Sequence, residues 1–253
     1  MHELLVGIGL GMLAGLLSGM IGIGGGTIII PLLVLLLGYS QHLAQGTALL
    51  AFAFPVFGWA AWNYYRYGRV EWRLALGIAT GLGIASFFVA AWIQSWSTVL
   101  LRRVFAFFLI AVSMWQFWQA GRRIQKAHPV VRSIWQRLLL GVFVGLLAGA
   151  LKGLTGLGGG VIIVPLLVAL AGLDQHTAQG TSLLTMTLPV SFMAVIPYWR
   201  SGNVAVGVSL ALGVGIFLGS ALSSRLAQRV AGVHLARLFA TVLMVIGVVL
   251  FLR

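Results

Sequence analysis

Gly22-Ile23-Gly24-Gly25-Gly26-Thr27-Ile28-Ile29-Ile30-Pro31 returns at an offset of 134 residues, without a gap, as Gly156-Leu157-Gly158-Gly159-Gly160-Val161-Ile162-Ile163-Val164-Pro165. The correspondence extends outward from these two stretches. Gln41-His42 meets Gln175-His176, Ala44-Gln45-Gly46-Thr47 meets Ala178-Gln179-Gly180-Thr181, Pro55 meets Pro189, Arg66 meets Arg200 and Arg103 meets Arg237. Of the 26 positions from Gly22 to Thr47, 18 are identical to those from Gly156 to Thr181, which makes the chain a tandem duplication. A doubled apolar unit interrupted by glycine is the pattern of secondary transporters, whose sites form between repeats near the bilayer midplane.

Composition sets the class. The chain is 60% hydrophobic and 8% charged, with a mean hydropathy of +1.07, whereas a soluble domain is charged at roughly a quarter of its positions. An integral membrane protein is expected. The first apolar stretch, from Leu4 to about Ile21, lacks a basic start and belongs to the repeat, so it is kept in the mature fold rather than read as a signal peptide. The chain has no cysteine, which excludes disulfides, thiolate metal sites and cysteine nucleophiles. Its net charge is +13, and its three acids, Glu3, Glu71 and Asp174, all fall outside the apolar spans. A desolvated cation needs a carboxylate or dense carbonyl coordination, so a cation substrate is disfavoured. The basic residues follow the positive-inside bias and attraction to anionic lipid; binding of nucleic acid is not implied.

Hydropathy predicts an all-α, polytopic membrane protein of two repeats with five helical elements each: 4–21, 27–38, 43–65, 74–94 and 99–118, then 138–154, 161–172, 177–199, 206–223 and 234–252. Residues 1–118 form the first transmembrane repeat, 119–137 a basic cytoplasmic linker and 138–253 the second repeat. The elements from Thr27 to Gly38 and from Val161 to Gly172 would reach only about 18 Å as helices, against a hydrocarbon core of about 30 Å. Each is read as a half-helix behind a glycine-rich break, forming a hairpin that either re-enters or crosses. The repeat then leaves an odd number of other spans, so the halves are expected to be inverted. Arginine placement agrees: Arg66, Arg69 and Arg73 crowd one loop of the first half, and Arg225, Arg229 and Arg237 the following loop of the second. With those loops and the linker in the cytoplasm, both termini face outward. The nine tryptophans gather mostly near element ends, as an aromatic belt.

The residues expected to carry chemistry follow from the same breaks. A helix start presents N–H groups without intrahelical partners and the positive end of its dipole, so Gly24, Gly25, Gly26 and Thr27, with Gly158, Gly159 and Gly160, are candidate anion ligands. Close helix packing is the alternative use of such glycines. Gln45, Thr47, Gln179 and Thr181 open the third element of each half and add amide and hydroxyl donors, with helix capping or packing as the plainer role. Lys152 is the one ionisable residue within the apolar part of an element, and its repeat partner is Ser18. It is either a buried charge for an anion or a side chain snorkelling to the interface. His42 and His176 occupy matching loops that inversion separates, so capping or packing suits them better than a shared metal. No cofactor or metal is implied.

Gly11 to Gly26 followed by Pro31, the Ala44-x-Gly46-Thr47 and Ala178-x-Gly180-Thr181-Ser182-Leu183-Leu184 stretches, and Gly207 to Gly219 give the chain a resemblance over almost its whole length. It resembles the sulfite exporter family of the TauE/SafE type, also grouped with toluene-sulfonate uptake permeases. Some members carry Asn-Lys directly after the Gly-Thr; this chain has Ala48-Leu49 and Ser182-Leu183 there, so no lysine role is carried over to that point. The resemblance implies movement of sulfite, sulfonates or related sulfur-containing anions, usually out of the cell, across a bacterial-type plasma membrane.

The residues by themselves reach an anion transporter working by alternating access; sulfur enters through the resemblance. An anion channel is the alternative, and an enzyme is disfavoured because the spans hold no nucleophile–base or metal-ligand cluster. The expected partners are a small anionic substrate, membrane lipid and a second copy in a homodimer. An inside-negative potential favours anion exit by about 2.3 kcal/mol per charge per 100 mV, so facilitated export needs no coupling ion.

Overall fold

The fold is known from a computed structural model that describes residues 2–21, 25–120, 133–226 and 232–252. In chain order the first half contains α1 (His2–Ile21), α2 (Gly26–Leu36), α3 (Gln41–Ala53), α4 (Gly58–Arg66), α5 (Trp72–Ile93) and α6 (Thr98–Ala120). The second half contains α7 (Ile134–Thr155), α8 (Gly160–Leu170), α9 (Gln175–Thr187), α10 (Ser191–Arg200), α11 (Val206–Leu226) and α12 (Gly232–Leu252). All regular structure among the described residues is helical. Gly24, Arg229 and linker residues 121–132 lie outside the described residues.

One expectation needs correction. The third element of each half is not a single helix but two, α3–α4 and α9–α10, bent by 48° and 46°. Pro55 and Pro189 are the cause. Proline disfavours helical conformation in the residue before it, and Phe54 and Leu188 are accordingly extended, at ψ 157° and 145°. A second correction follows. Gln45-Gly46-Thr47 and Gln179-Gly180-Thr181 do not open these helices, because α3 begins at Gln41 behind the Ser40 cap and α9 at Gln175 behind the Asp174 cap. His42 and His176 therefore lie in first turns of helices, not in loops.

Among the described residues α5, α7 and long parts of α6 and α11 are long and apolar enough to span a membrane, and each bent pair qualifies as one further span. The expected short helices are present: α2 and α8 have 11 residues each, which is about 16 Å of helix.

The halves interlock by exchanging their first helices. α1 packs along α11, and α7 along α5. Both pairs run parallel, because Gly7, Gly11 and Gly15 meet Val208, Leu212 and Ile216 in order, and Gly77 and Gly81 meet Leu138 and Val142. The approach is backbone to backbone: a Cβ at Gly11 or Gly145 would overlap the facing carbonyl of Leu212 or Ile78. Small residues permit such contact where lipid supplies no hydrophobic drive between helices. The sixth helices also pair, α6 with α12, and these run antiparallel. The Ser113 hydroxyl donates to the Ala240 carbonyl at 2.6 Å, while Gly247 packs on Ala106 and Ile110. Under the repeat offset, positions 113 and 240 become 247 and 106, so the contact maps onto itself.

The chain reverses between α1 and α2. Gly25 lies against Ala14, two turns back along α1 from Ile21, and the Tyr39 hydroxyl reaches the Glu3 carboxylate at 3.3 Å. By the end of α2 the chain has thus returned to the end of the molecule at which α1 began. α1 and α2 form a hairpin whose second arm starts at the middle of the first.

Candidate functional site

The two glycine turns meet. Gly26, the first residue of α2, packs on the Cα of Leu157, which leads into Gly158-Gly159-Gly160 and α8. Gly159 is left-handed at φ +81°, and Gly156 at φ +72° ends α7; glycine adopts this region without the steric cost of a Cβ. Gly25 and Gly159 are the N-caps of α2 and α8 and offer no side chain to cap them. Their carbonyls accept from Ile28 and Ile29 and from Ile162 and Ile163, so the N–H groups of the first helical residues remain directed out of each helix start.

Thr27 stands at the head of α2, fully buried, and its hydroxyl has no hydrogen-bond partner among the described residues. Ser182 on α9 is in the same condition. A buried hydroxyl left unpaired costs about 1–3 kcal/mol. Each is asymmetric in the duplication: Thr27 corresponds to Val161 and Ser182 to Ala48.

Gln45 and Gln179 lie in two separate contacts between the halves. The Gln45 carbonyl accepts from the Tyr198 hydroxyl at 2.7 Å, and its amide nitrogen approaches the Leu154 carbonyl at 3.4 Å, beside Gly156. The Gln179 carbonyl accepts from the Tyr64 hydroxyl at 3.2 Å. The tyrosines orient each amide with its nitrogen turned away from them. Sequence reasoning missed both tyrosines, although Tyr64 and Tyr198 are themselves repeat partners and a fuller reading of the duplication identifies them.

Thr47 and Thr181 do other work. The Thr47 hydroxyl accepts the Ala205 N–H at 3.0 Å, and the Thr181 hydroxyl accepts the Glu71 N–H at 3.0 Å. Each secures the chain just before a long helix of the opposite half, α11 or α5. Gly46 and Gly180 let these connections pass, since a Cβ would overlap the Asn203 or Arg69 carbonyl.

Lys152 does not snorkel. It is 1% exposed, one turn before the end of α7, and its ammonium nitrogen lies 2.5 Å from the hydroxyl of Ser191 at the start of α10. It therefore reaches the break between α9 and α10. The repeat counterparts of this pair are Ser18, whose buried hydroxyl is unpaired among the described residues, and Phe57. Ser191 had no signal in the sequence, because its partner position carries phenylalanine.

Of the expected ligands, the structure thus brings together Gly25, Gly26 and Thr27 with the turn that holds Gly158, Gly159 and Gly160. It sets Gln45 beside Gly156 at the flank of that turn, and it uses Thr47 and Thr181 as ties between the halves.

Broken apolar hairpins, interlocked halves and paired half-helix starts inside a bundle of spanning helices define a multi-pass membrane transporter. The sequence matches the family described as Sulfite exporter TauE/SafE over residues 7–250, and the chain belongs to that family. It is 27% identical to the "probable membrane transporter protein YunE" of Bacillus subtilis, over 94% of this chain and 93% of that protein. A "probable membrane transporter protein" of Methanocaldococcus jannaschii is 25% identical over 96% and 93% of the two chains. One from Haemophilus influenzae is 26% identical over 96% of each.

Proposed function

We propose that this transporter carries a small sulfur oxyanion or organosulfonate out of the cell by alternating access. The observation that supports this reading best is the head of α2, where Gly26 packs on Leu157 of the opposite half's glycine turn, N–H groups are directed out of the helix start and the buried hydroxyl of Thr27 has no partner among the described residues. An anion satisfies all of these groups together, whereas a cation is opposed by the helix dipole. The family description supplies sulfur, and the charge pattern supplies the sign. Gly25, Gly26, Thr27 and Gly158 to Gly160 are the central ligands in this reading, with the amide nitrogens of Gln45 and Gln179 along the approach and Lys152 as the charge partner.

The antiparallel pairing of the equivalent helices α6 and α12 supports an inverted arrangement, because a two-fold axis relating antiparallel spans is perpendicular to them and so lies in the membrane plane. The half-helices then start near mid-depth and run to opposite faces. Rocking of one half against the other, about the glycine and proline breaks, alternates exposure of the site.

The test is binding of sulfite, sulfate, thiosulfate, taurine and sulfoacetate to purified protein, with Thr27→Val beside the natural sequence. Valine is what the repeat places at position 161, so the substitution fits. One hydrogen bond to a charged ligand is worth about 1.5–3 kcal/mol, so affinity should fall by roughly ten- to a hundredfold. Unchanged affinity removes the head of α2 from the site. Conductance in planar bilayers beyond carrier turnover would replace the carrier with a channel.

A further inference from the structure

Lys152 is buried, with no counterion among the described residues. Glu71 is paired with Arg137, at 2.8 Å, and the partner of Lys152 among the described residues is the hydroxyl of Ser191. The groups packed around it among the described residues are neutral, and the charged side chains of the neighbouring helices lie farther off. From α5, Ser86, Val89 and Ala90 face the adjoining Gly153; Glu71 and Arg73 flank the opposite end of α5, where Arg137 begins α7. From α10 come Ser191 and Tyr198, whose hydroxyl approaches the Gly153 carbonyl at 3.4 Å, with Arg200 at the helix's far end. α8 carries no titratable side chain, α6 carries Arg102 and Arg103 in its second turn, and α9 carries only His176 in its first.

An ammonium held in such surroundings costs several kcal/mol, and the cost is removed in two ways: loss of the proton, or arrival of an anion. The position favours the second whenever substrate is present, because the nitrogen lies at the break before α10, at the positive end of that helix's dipole. Repeat symmetry sharpens the point. The other half has the same break but sets Ser18 and Phe57 in the equivalent places, so the charge is present once per molecule.

We infer that this protein moves its anion together with a proton, and that Lys152 is the group that carries the proton. The inference rests on the anion-carrier reading given above. Loaded, the site holds an ammonium and an anion; empty, it holds a neutral amine hydrogen-bonded to Ser191, which returns across the membrane without an uncompensated charge. The proton is taken up on the side where the anion binds and given up where the anion leaves. A monovalent anion and a proton then cross with no net charge, so the anion and pH gradients together, not the membrane potential, set the direction, and export requires an outward anion gradient that exceeds any inward proton gradient.

The experiment uses methanesulfonate, a monoanion whose own charge does not change with pH in the working range. Calorimetric binding to the purified protein in two buffers of different ionisation enthalpy counts protons directly. The expected result is uptake rising to about one proton per anion as the solution becomes alkaline, with affinity falling by up to about tenfold per pH unit over the same range. Lys152→Met should bind methanesulfonate more weakly, with no proton uptake and no pH dependence. Proteoliposomes loaded with a pH dye should acidify inside as methanesulfonate enters, at a rate independent of an imposed potential. Binding without proton uptake by the natural sequence overturns the coupling and leaves the anion reading intact, and this measurement does not depend on the variant folding. Absence of binding by methanesulfonate and by all five sulfur compounds overturns the anion reading and the coupling together.

Discussion

At the scale of single residues, the tyrosine–glutamine pairs show how one duplicated contact serves both stability and orientation. Gln45→Leu removes the nearer acceptor of the buried Tyr198 hydroxyl and leaves it only the Gly153 carbonyl at 3.4 Å, and loss of a buried hydrogen bond costs about 0.5–1.5 kcal/mol. The thermal midpoint in detergent should fall, and Tyr198→Phe added to Gln45→Leu should recover part of the loss, since removing both partners leaves nothing unpaired. A double variant that is less stable than the sum of the singles would contradict this. Asp174 gives a pH-dependent counterpart outside the membrane. Partial burial alone would raise its pKa, but hydrogen bonds from the Thr177 side chain and from the Thr177 and His176 N–H groups outweigh it and hold the carboxyl below its usual range. Because the folded pKa is depressed, the stabilisation is complete above the ordinary carboxylate range and is lost as pH falls through the lowered value. As the N-cap of α9, the side chain is worth about 1 kcal/mol, so Asp174→Ala should lower the midpoint near neutral pH, with the gap to the natural sequence closing in acid.

At the scale of elements, the parallel pairs α1–α11 and α5–α7 depend on the absence of side chains along their seams. A Cβ at Gly145 would lie 2.9 Å from the Ile78 carbonyl carbon and Cα, backbone that cannot move aside. Gly145→Val should therefore destabilise by at least the 1–3 kcal/mol typical of overpacking. Gly9, on the same kind of helix, has nothing within 4 Å of its Cβ position, and Gly9→Ala should leave stability level or raise it by about 0.5–1 kcal/mol, the difference in helical preference. Equal midpoints for the two variants would mean that the seam is not close-packed. These seams also show what the sequence could and could not convey. The duplication, the short helices at Gly26 and Gly160 and the helical class were readable, because hydropathy and glycine spacing are local signals. Which helix would lie against which was not: the exchange of α1 and α7 between halves is a long-range fact, and the glycines that permit it look the same as glycines that line a site. The breaks at Pro55 and Pro189 were written in the sequence, but unbroken hydropathy across them concealed two helices as one. Of the candidate site, the glycine turns were legible as polar backbone in an apolar chain, whereas Ser191 was invisible because it enters only through its hydrogen bond with Lys152, whose place in the first half is taken by Ser18.

At the scale of the whole molecule, the antiparallel contact of α6 with α12 and the parallel seams tie the orientations of all long helices together. α5 and α6 are joined by a turn of four residues, Gln94 to Ser97, so they run in opposite directions. α6 opposes α12, α7 follows α5, and α11 runs with the α3–α4 span that leads into the Arg66–Arg73 loop, because Ser209 and Ser220 bond to Thr47 and Val56 in order. If the Arg66–Arg73 loop is cytoplasmic, as its three arginines favour, then α5 and α7 leave the cytoplasm while α11 and α1 approach it. Repeat-equivalent positions should then sit on opposite faces of the membrane. Tyr67, in the exposed turn after α4, and Ser201, in the exposed turn after α10, are such a pair, 134 residues apart. The chain has no cysteine of its own, so Tyr67→Cys and Ser201→Cys each create a unique thiol. In intact cells an impermeant maleimide should label Cys at 201 and leave Cys at 67 unmodified, and in inside-out vesicles the pattern should reverse. Labelling of both from one side would make the repeats parallel, and the half-helices would then start from the same face, which removes the geometric basis for a site alternately exposed by inverted halves.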